Sequence, residues 1–78
     1  MRGMIMVYKP GRCLLTKRLR EIRRSQQWLS EITGIPKSSV SEYATNRRTM
    51  SLATAMTIAA VIGCYIDDLY ERIEVSSD

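Results

Sequence analysis

Between Thr33 and Arg48 the chain reads TGIPKSSVSEYATNRR. Lys37, Ser38, Ser39, Ser41, Glu42, Asn46, Arg47 and Arg48 crowd ammonium, hydroxyl, carboxylate, amide and guanidinium groups into this stretch, and from Lys37 to Arg48 only Val40, Tyr43 and Ala44 offer apolar surface behind them. Short hydroxyl and charged side chains suit hydrogen bonding to the polar edges of another molecule, and neighbouring arginines suit multidentate contact with phosphate. Catalysis is a poorer fit. There is no histidine, no cysteine beside a plausible base and no glycine-rich phosphate loop. Asp67 and Asp68 are adjacent, so they point to different helix faces and better serve a helix N-terminus than a general acid and base. The expectation is a binding protein with no enzymatic activity, cofactor, metal site or small-molecule substrate.

Charge indicates the partner. Of the 12 basic residues, eleven lie between Met1 and Arg48, with only Glu21, Glu31 and Glu42 as acids; from Thr49 onward one basic residue stands against five acidic ones. A cationic half points to a polyanion, and to nucleic acid ahead of a membrane surface, because a membrane-surface helix needs a broader apolar face. The competing account is a solvated surface that happens to be lopsided. Seventy-eight residues fit one small domain. No apolar run approaches the roughly 20 residues of a membrane span. The patch Met4–Tyr8 is shorter than a signal-peptide core and no small-residue cleavage site follows, so the cytoplasm is expected. Cys13 and Cys64 then remain thiols and serve as small apolar filler.

Apolar spacing describes five short helices. Leu15, Leu19 and Ile22 form the stripe of the first. Ser25 caps the second, QQWLSEIT, which Gly34 stops. Pro36 opens the third, KSSVSEYA, held from within by Val40, Tyr43 and Ala44. Ser51 caps the fourth, with Leu52, Ala55, Met56, Ala59 and Ile62 inward until Gly63. Ile66, Leu69, Tyr70 and Ile73 suggest a fifth through about Glu74. The fold class expected is all-α: a compact five-helix bundle with a possible extended N-terminal segment, divided as an arm at 1–12, a domain at 13–75 and a frayed tail at 76–78.

The second and third helices are joined by TGIP, a short glycine turn of the helix-turn-helix kind. In that motif the following helix enters the DNA major groove, which explains an outer face of short polar groups. Ser30, four residues before Gly34, supplies the small residue needed where the helices cross. With QQWLSEITGIPKSSVSEY, NRRTMSLATAMTIAAVIG and IDDLY in this order, residues from about 14 to 71 resemble the Cro and phage-repressor-like, or XRE-type, helix-turn-helix domains. The resemblance implies a lambda-repressor-like bundle that binds double-stranded operator DNA, commonly as a homodimer, and represses transcription. It assigns Lys37, Ser38, Ser41 and Glu42 to bases, Ser39, Asn46, Arg47 and Arg48 to the DNA backbone, Gln26 to a backbone phosphate or to a buttress for the third helix, and Ser30, Gly34 and Val40 to the motif's structure. Lys17, Arg18, Arg23 and Arg24 are weaker candidates for phosphate. The chain departs from the pattern in three places. Trp28 stands where an acidic residue is common, Thr33 precedes the turn glycine, and the third helix lacks Gln, Asn or Arg at its first exposed positions. An alternative function is a protein-interaction module, such as an antitoxin or antirepressor, on the same fold.

Met4–Tyr8 contains β-forming residues and ends at Pro10 and Gly11, which marks an extended segment. A lone strand needs a partner. Trp28 and Ile32 form an apolar ridge that Ile5 and Val7 could cover, either from the same chain or across the two-fold axis of a dimer; otherwise the segment has no fixed structure.

Overall fold

A computed structural model describes residues 5–77. Met4 of the expected extended segment and Asp78 of the expected tail lie outside the described residues. The chain contains strand β1 (Ile5–Cys13), helices α1 (Leu15–Glu21), α2 (Gln26–Thr33), α3 (Lys37–Ala44) and α4 (Leu52–Ile62), a single 3-10 turn (Ile66–Asp68), and strand β2 (Tyr70–Ser77). The molecule is elongated, 50 × 23 × 20 Å, because the two strands form an antiparallel ribbon that extends from the helical body.

Helices α2, α3 and α4 begin where local chemistry requires. Ser25 Oγ accepts the Trp28 N–H at 3.0 Å, and Ser51 Oγ accepts the Thr54 N–H at 3.1 Å, each satisfying a donor left over at a helix N-terminus. Pro36 precedes α3, where a missing N–H costs nothing. Gly34 closes α2 at φ 79°, and its N–H returns to the Ser30 carbonyl at 2.9 Å. The turn is further stitched by side chains. Ser30 Oγ donates to the Ile35 carbonyl at 2.6 Å, while Thr33 Oγ1 donates to the Leu29 carbonyl and accepts the Ile35 N–H. Thr33, one of the departures from the family pattern, thus binds both ends of the turn.

Leu15, Leu19, Leu29, Val40, Tyr43, Ala55, Ile58, Ala59, Ile62 and Leu69 form one buried core, closed below by Cys13 and Met50. Its helix faces differ from the expected ones in two places. Ile22 lies beyond the end of α1 and is exposed, and α4 turns Ile58 inward while Leu52 and Met56 face solvent.

The expected fifth helix is absent among the described residues, and the all-α five-helix assignment is corrected to four helices with a two-stranded antiparallel sheet. After Leu69, which is fully buried, the chain turns into β2. The spacing of Leu69 and Ile73 fits one helical turn, but Ile73 and Val75 also alternate with Glu74, and Tyr, Ile and Val favour extended backbone. The deciding factor is β1, some 60 residues away. Its ladder pairs Val7 with Val75, Lys9 with Ile73 and Cys13 with Tyr70, saturating backbone groups that a terminal helix of one or two turns would leave frayed. The partner of the N-terminal strand is therefore the chain's own C-terminal segment. Gly11 permits this: a Cβ there would meet Ile73 Cδ1 at 2.9 Å.

The ribbon is joined to the helices at its root. Asn46 Oδ1 accepts the Cys13 N–H at 2.7 Å, Tyr70 Oη accepts the Met50 N–H at 3.0 Å, and the Leu14 N–H donates to the Leu69 carbonyl at 2.7 Å. Arg18 Nε donates to the Asp68 carbonyl at 2.8 Å, and its guanidinium also pairs with Glu21 at 3.2 Å.

Two measurements check this account. Gly34→Ala should cost about 1 kcal/mol from left-handed backbone strain alone, since nothing lies within 4 Å of an added Cβ, whereas Val40→Asp should abolish the cooperative melt by burying an unpaired carboxylate. Asn46, at φ 64°, separates two roles. Asn46→Gly keeps the backbone conformation but leaves the Cys13 N–H unpaired, for about 1 kcal/mol; Asn46→Ala adds left-handed strain and should melt lower still. Equal melting temperatures for the two Asn46 variants would remove the strain argument.

Candidate nucleic-acid interface

Helix α3 sits on the core through Val40 and Tyr43, both buried. That attachment turns the remaining side chains outward to different degrees. Lys37 and Ser38 are exposed at its N-terminal end, while Ser39, Ser41 and Glu42 are half-buried. Four of the eight helix residues are thus short hydroxyl or carboxylate groups on a partly accessible surface. The structure brings together the residues the sequence assigned to bases and those of the following loop: Arg48 Nη1 pairs with Glu42 Oε1 at 3.2 Å, and its guanidinium lies 5.9 Å from the centroid of the Tyr43 ring. Both partners of this pair are about half exposed, so the pairing is weak and easily exchanged.

Asn46 and Arg47 differ from Arg48. The Asn46 amide oxygen is committed to the Cys13 N–H, which leaves its amide N–H groups as the outward donors. Arg47 is exposed and has no ion-pair partner among the described residues.

At the other end of the motif, Gln26 begins α2 half-buried. With Arg20, Arg23 and Arg24 it lines an open cavity of about 420 Å³, whose floor includes Thr16 and Leu19. Arg24 stacks over the Trp28 indole, 5.0 Å from its centroid. This gives Trp28 a role that an acidic residue could not fill: its ring packs on the core and its outer face supports a cation. Arg20 escaped the sequence reading altogether, since a basic residue in a charged helix carries no pattern distinguishing it from a solvated face. The weaker candidates divide as well. Arg18 is held by Asp68 and Glu21, whereas Lys17, Arg23 and Arg24, like the unforeseen Arg20, have no ion-pair partner among the described residues.

Ser30, Gly34 and Val40 hold the turn and the helix crossing as described above. Ile5 and Val7 lie on β1, paired with Ser77 and Val75, and Ile32 remains 56% exposed. Burial pushes the thiols of Cys13 and Cys64 above their ordinary range, so both stay protonated at neutral pH and supply no thiolate nucleophile. Among the described residues no three His, Cys, Asp or Glu side chains are grouped to hold a metal ion. No described helix is long and apolar enough to cross a membrane.

Comparison with known proteins agrees with this geometry. Residues 15–74 match the Cro/C1-type helix-turn-helix DNA-binding domain. YopS, an uncharacterised HTH-type transcriptional regulator derived from the SPβ prophage of Bacillus subtilis strain 168, is 44% identical over 64 residues, covering 78% of this chain and 84% of the relative. YotL, a second such regulator from the same prophage, is 36% identical over 64 residues, covering 81% of this chain and 80% of its own. In fold, the chain is similar to a candidate DNA-binding protein from Bacteroides fragilis, with a TM-score of 0.70 at 21% identity over 86% of this chain and all of that one. It is also similar to the transcriptional regulator VanUg, with a TM-score of 0.66 at 21% identity over 96% and 93% of the two chains. A polar helix mounted on a glycine turn, arginines at both ends of the motif and a match spanning most of the sequence lead to one conclusion: the chain belongs to the Cro/C1-type helix-turn-helix DNA-binding family.

Proposed function

We propose that the protein is a cytoplasmic, sequence-selective transcriptional repressor that lays α3 in the major groove of an operator and acts as a homodimer. The observation that carries the reading is the mounting of α3: Val40 and Tyr43 hold it while Lys37 and Ser38 stand free at its leading end. A helix presented in this way can bring short side chains to base edges. The kinship with prophage-derived HTH-type regulators supports the regulatory role.

In this reading Lys37, Ser38, Ser41 and Glu42 face bases. Ser39, Gln26, Asn46, Arg47 and Arg48 meet sugar and phosphate, joined by Arg20, Arg23 and Arg24 around the start of α2. Glu42 and Arg48 exchange their mutual pair for DNA partners. Binding is the whole activity, and no catalytic step is assigned. Solvent-facing Leu52, Met56 and Tyr65 favour a second reading, a protein-interaction module, and a gel shift with DNA chosen from a random pool separates the two. Selective retention in moderate salt supports the repressor, and indiscriminate, salt-sensitive binding supports the module.

Two sets of variants test the assignment of roles. Ser38→Ala with Ser41→Ala should change which sequences the pool returns, at about 1 to 3 kcal/mol for each good pairing with a base edge that the substitution removes; an unchanged preference would sink the base-reading role. Arg47→Ala should weaken every sequence alike and make the slope of log affinity against log salt shallower by roughly 0.9 for the one phosphate released. A slope equal to that of the wild type would remove Arg47 from the residues that meet the DNA backbone.

A further inference from the structure

Helix α4 keeps one row of apolar side chains in solvent. Leu52, Met56 and Ala60 recur every four residues along it and are exposed, a spacing that aligns them on one face. At the end of the row, Met56 and Ala60 join Cys64, Tyr65, Ile66 and Asp67 around an open cavity of about 470 Å³. Tyr65 is 81% exposed, Leu52 67% and Met56 53%. Single apolar residues on a surface are ordinary, but a row that runs into a concavity lined by methionine and tyrosine suits contact with another protein.

Charge selects the occupant. Among the described residues, Asp67 is the one charged side chain lining the cavity, and it is exposed with no ion-pair partner. Behind it Asp68 and Glu21, both near enough to act on the Cys64 thiol, share the single guanidinium of Arg18. The site is apolar with an acidic rim. Such a rim repels DNA and a membrane surface of anionic lipid. A second copy of this chain fits no better, because a two-fold contact would set Asp67 and its acidic neighbours against themselves. Beyond Ile66 and Asp67 a smaller cavity of about 270 Å³ faces the ribbon, but Lys9 and Arg72 there offset Asp67 and Glu71. The anionic site is the one on α4.

We infer that this groove docks a segment of a different protein that carries a large apolar side chain next to Lys or Arg, the apolar group entering beside Met56 and Tyr65 and the cation meeting Asp67. The inference rests on the reading of Leu52, Met56 and Tyr65 as a protein contact and adds the chemistry of the partner. It uses none of the residues proposed to meet DNA.

The test selects peptides from a random displayed library on the full chain, discards those that also bind the Met56→Asp variant, and synthesises the survivors. The expected peptides place Leu, Ile, Met or an aromatic residue beside Lys or Arg. They should bind Asp67→Lys roughly tenfold more weakly than the wild type, and the wild type more weakly as salt rises. They should also shield Cys64 from alkylation, whereas Cys13 is buried and stays protected with or without peptide. Met56 and Asp67 are exposed, so both variants should keep the wild-type melting temperature; the shielding of Cys64 is read on the wild-type chain and does not depend on either variant. Peptides that need Met56 but are acidic, or that bind Asp67→Lys as well as the wild type, keep the protein contact and overturn the basic partner. The inference is also overturned if no peptide distinguishes the wild type from Met56→Asp, if bound peptides leave Cys64 open to alkylation, or if sedimentation shows that Met56→Asp abolishes self-association, which would seat a second copy in the groove. Selection of DNA by the same chain is scored separately and bears on α3 alone.

Discussion

The loop that leaves α3 is hydrogen-bonded to both strands of the ribbon, and this joint sets how the ribbon and the helical body are arranged. Asn46 holds Cys13 on β1 and Met50 is held by Tyr70 on β2. Neither strand could replace the other, since each supplies one partner. The joint is driven into the core by Cys13, Met50 and Leu69, all buried, so the two hydrogen bonds operate in a medium that disfavours leaving either group unpaired. Burial also raises the Tyr70 phenol above its ordinary range and keeps it neutral. A ribbon that would be marginal alone thereby shares the stability of the helical domain.

The other end of α3 is constrained by different means. The α2–α3 turn is built from Gly34 in the left-handed region and from the hydroxyls of Ser30 and Thr33, which together bind the Leu29 and Ile35 backbone. Val40 and Tyr43 fix the rotation of α3 about its own axis, because turning it by one residue would expose Val40 and bury a serine. The helix is thus clamped at both ends and along its inner face, while its outer side chains remain short. Lys37 is the longest of the proposed base readers and stands nearest the turn.

The motif itself was legible in the sequence because its signals are local. Ser25, Gly34, Pro36, Ser51 and Gly63 announce helix ends through capping chemistry that involves only nearby residues. Val40 as an inward residue follows from the spacing of a single helix. The ribbon was not legible in the same way. An extended N-terminal segment could be read from Ile5, Val7 and Pro10, but its partner lay at the other end of the chain, and Leu69, Tyr70 and Ile73 satisfied a helical spacing equally well. Pairing between sequence-distant segments leaves no periodic mark in either one alone. Asn46 illustrates the same limit on a smaller scale. An asparagine just after a helix is a sound candidate for left-handed backbone, yet nothing local reveals that its amide oxygen is taken by Cys13.

The make-up of α3 has a consequence for how selectivity would arise under the proposed reading. Serine can approach base edges but lacks the two-point contact with which Arg or Lys reads guanine and Asn or Gln reads adenine, and among the proposed base readers Lys37 alone can make one. A single α3 would therefore discriminate weakly between half-sites. The groups proposed to meet phosphate are better endowed, with Arg47 free of ion pairs among the described residues, Arg48 exchangeable from Glu42, and Arg20, Arg23 and Arg24 gathered beside Gln26. Phosphate contacts set register and orientation without reading sequence directly, but they penalise DNA whose groove shape or half-site spacing does not match the protein. Spacing can be enforced only if the two α3 helices are held rigidly with respect to each other. The clamp of Asn46 and Tyr70 on the ribbon meets that requirement within each chain, so that the selectivity missing from individual side chains is transferred to the geometry between them.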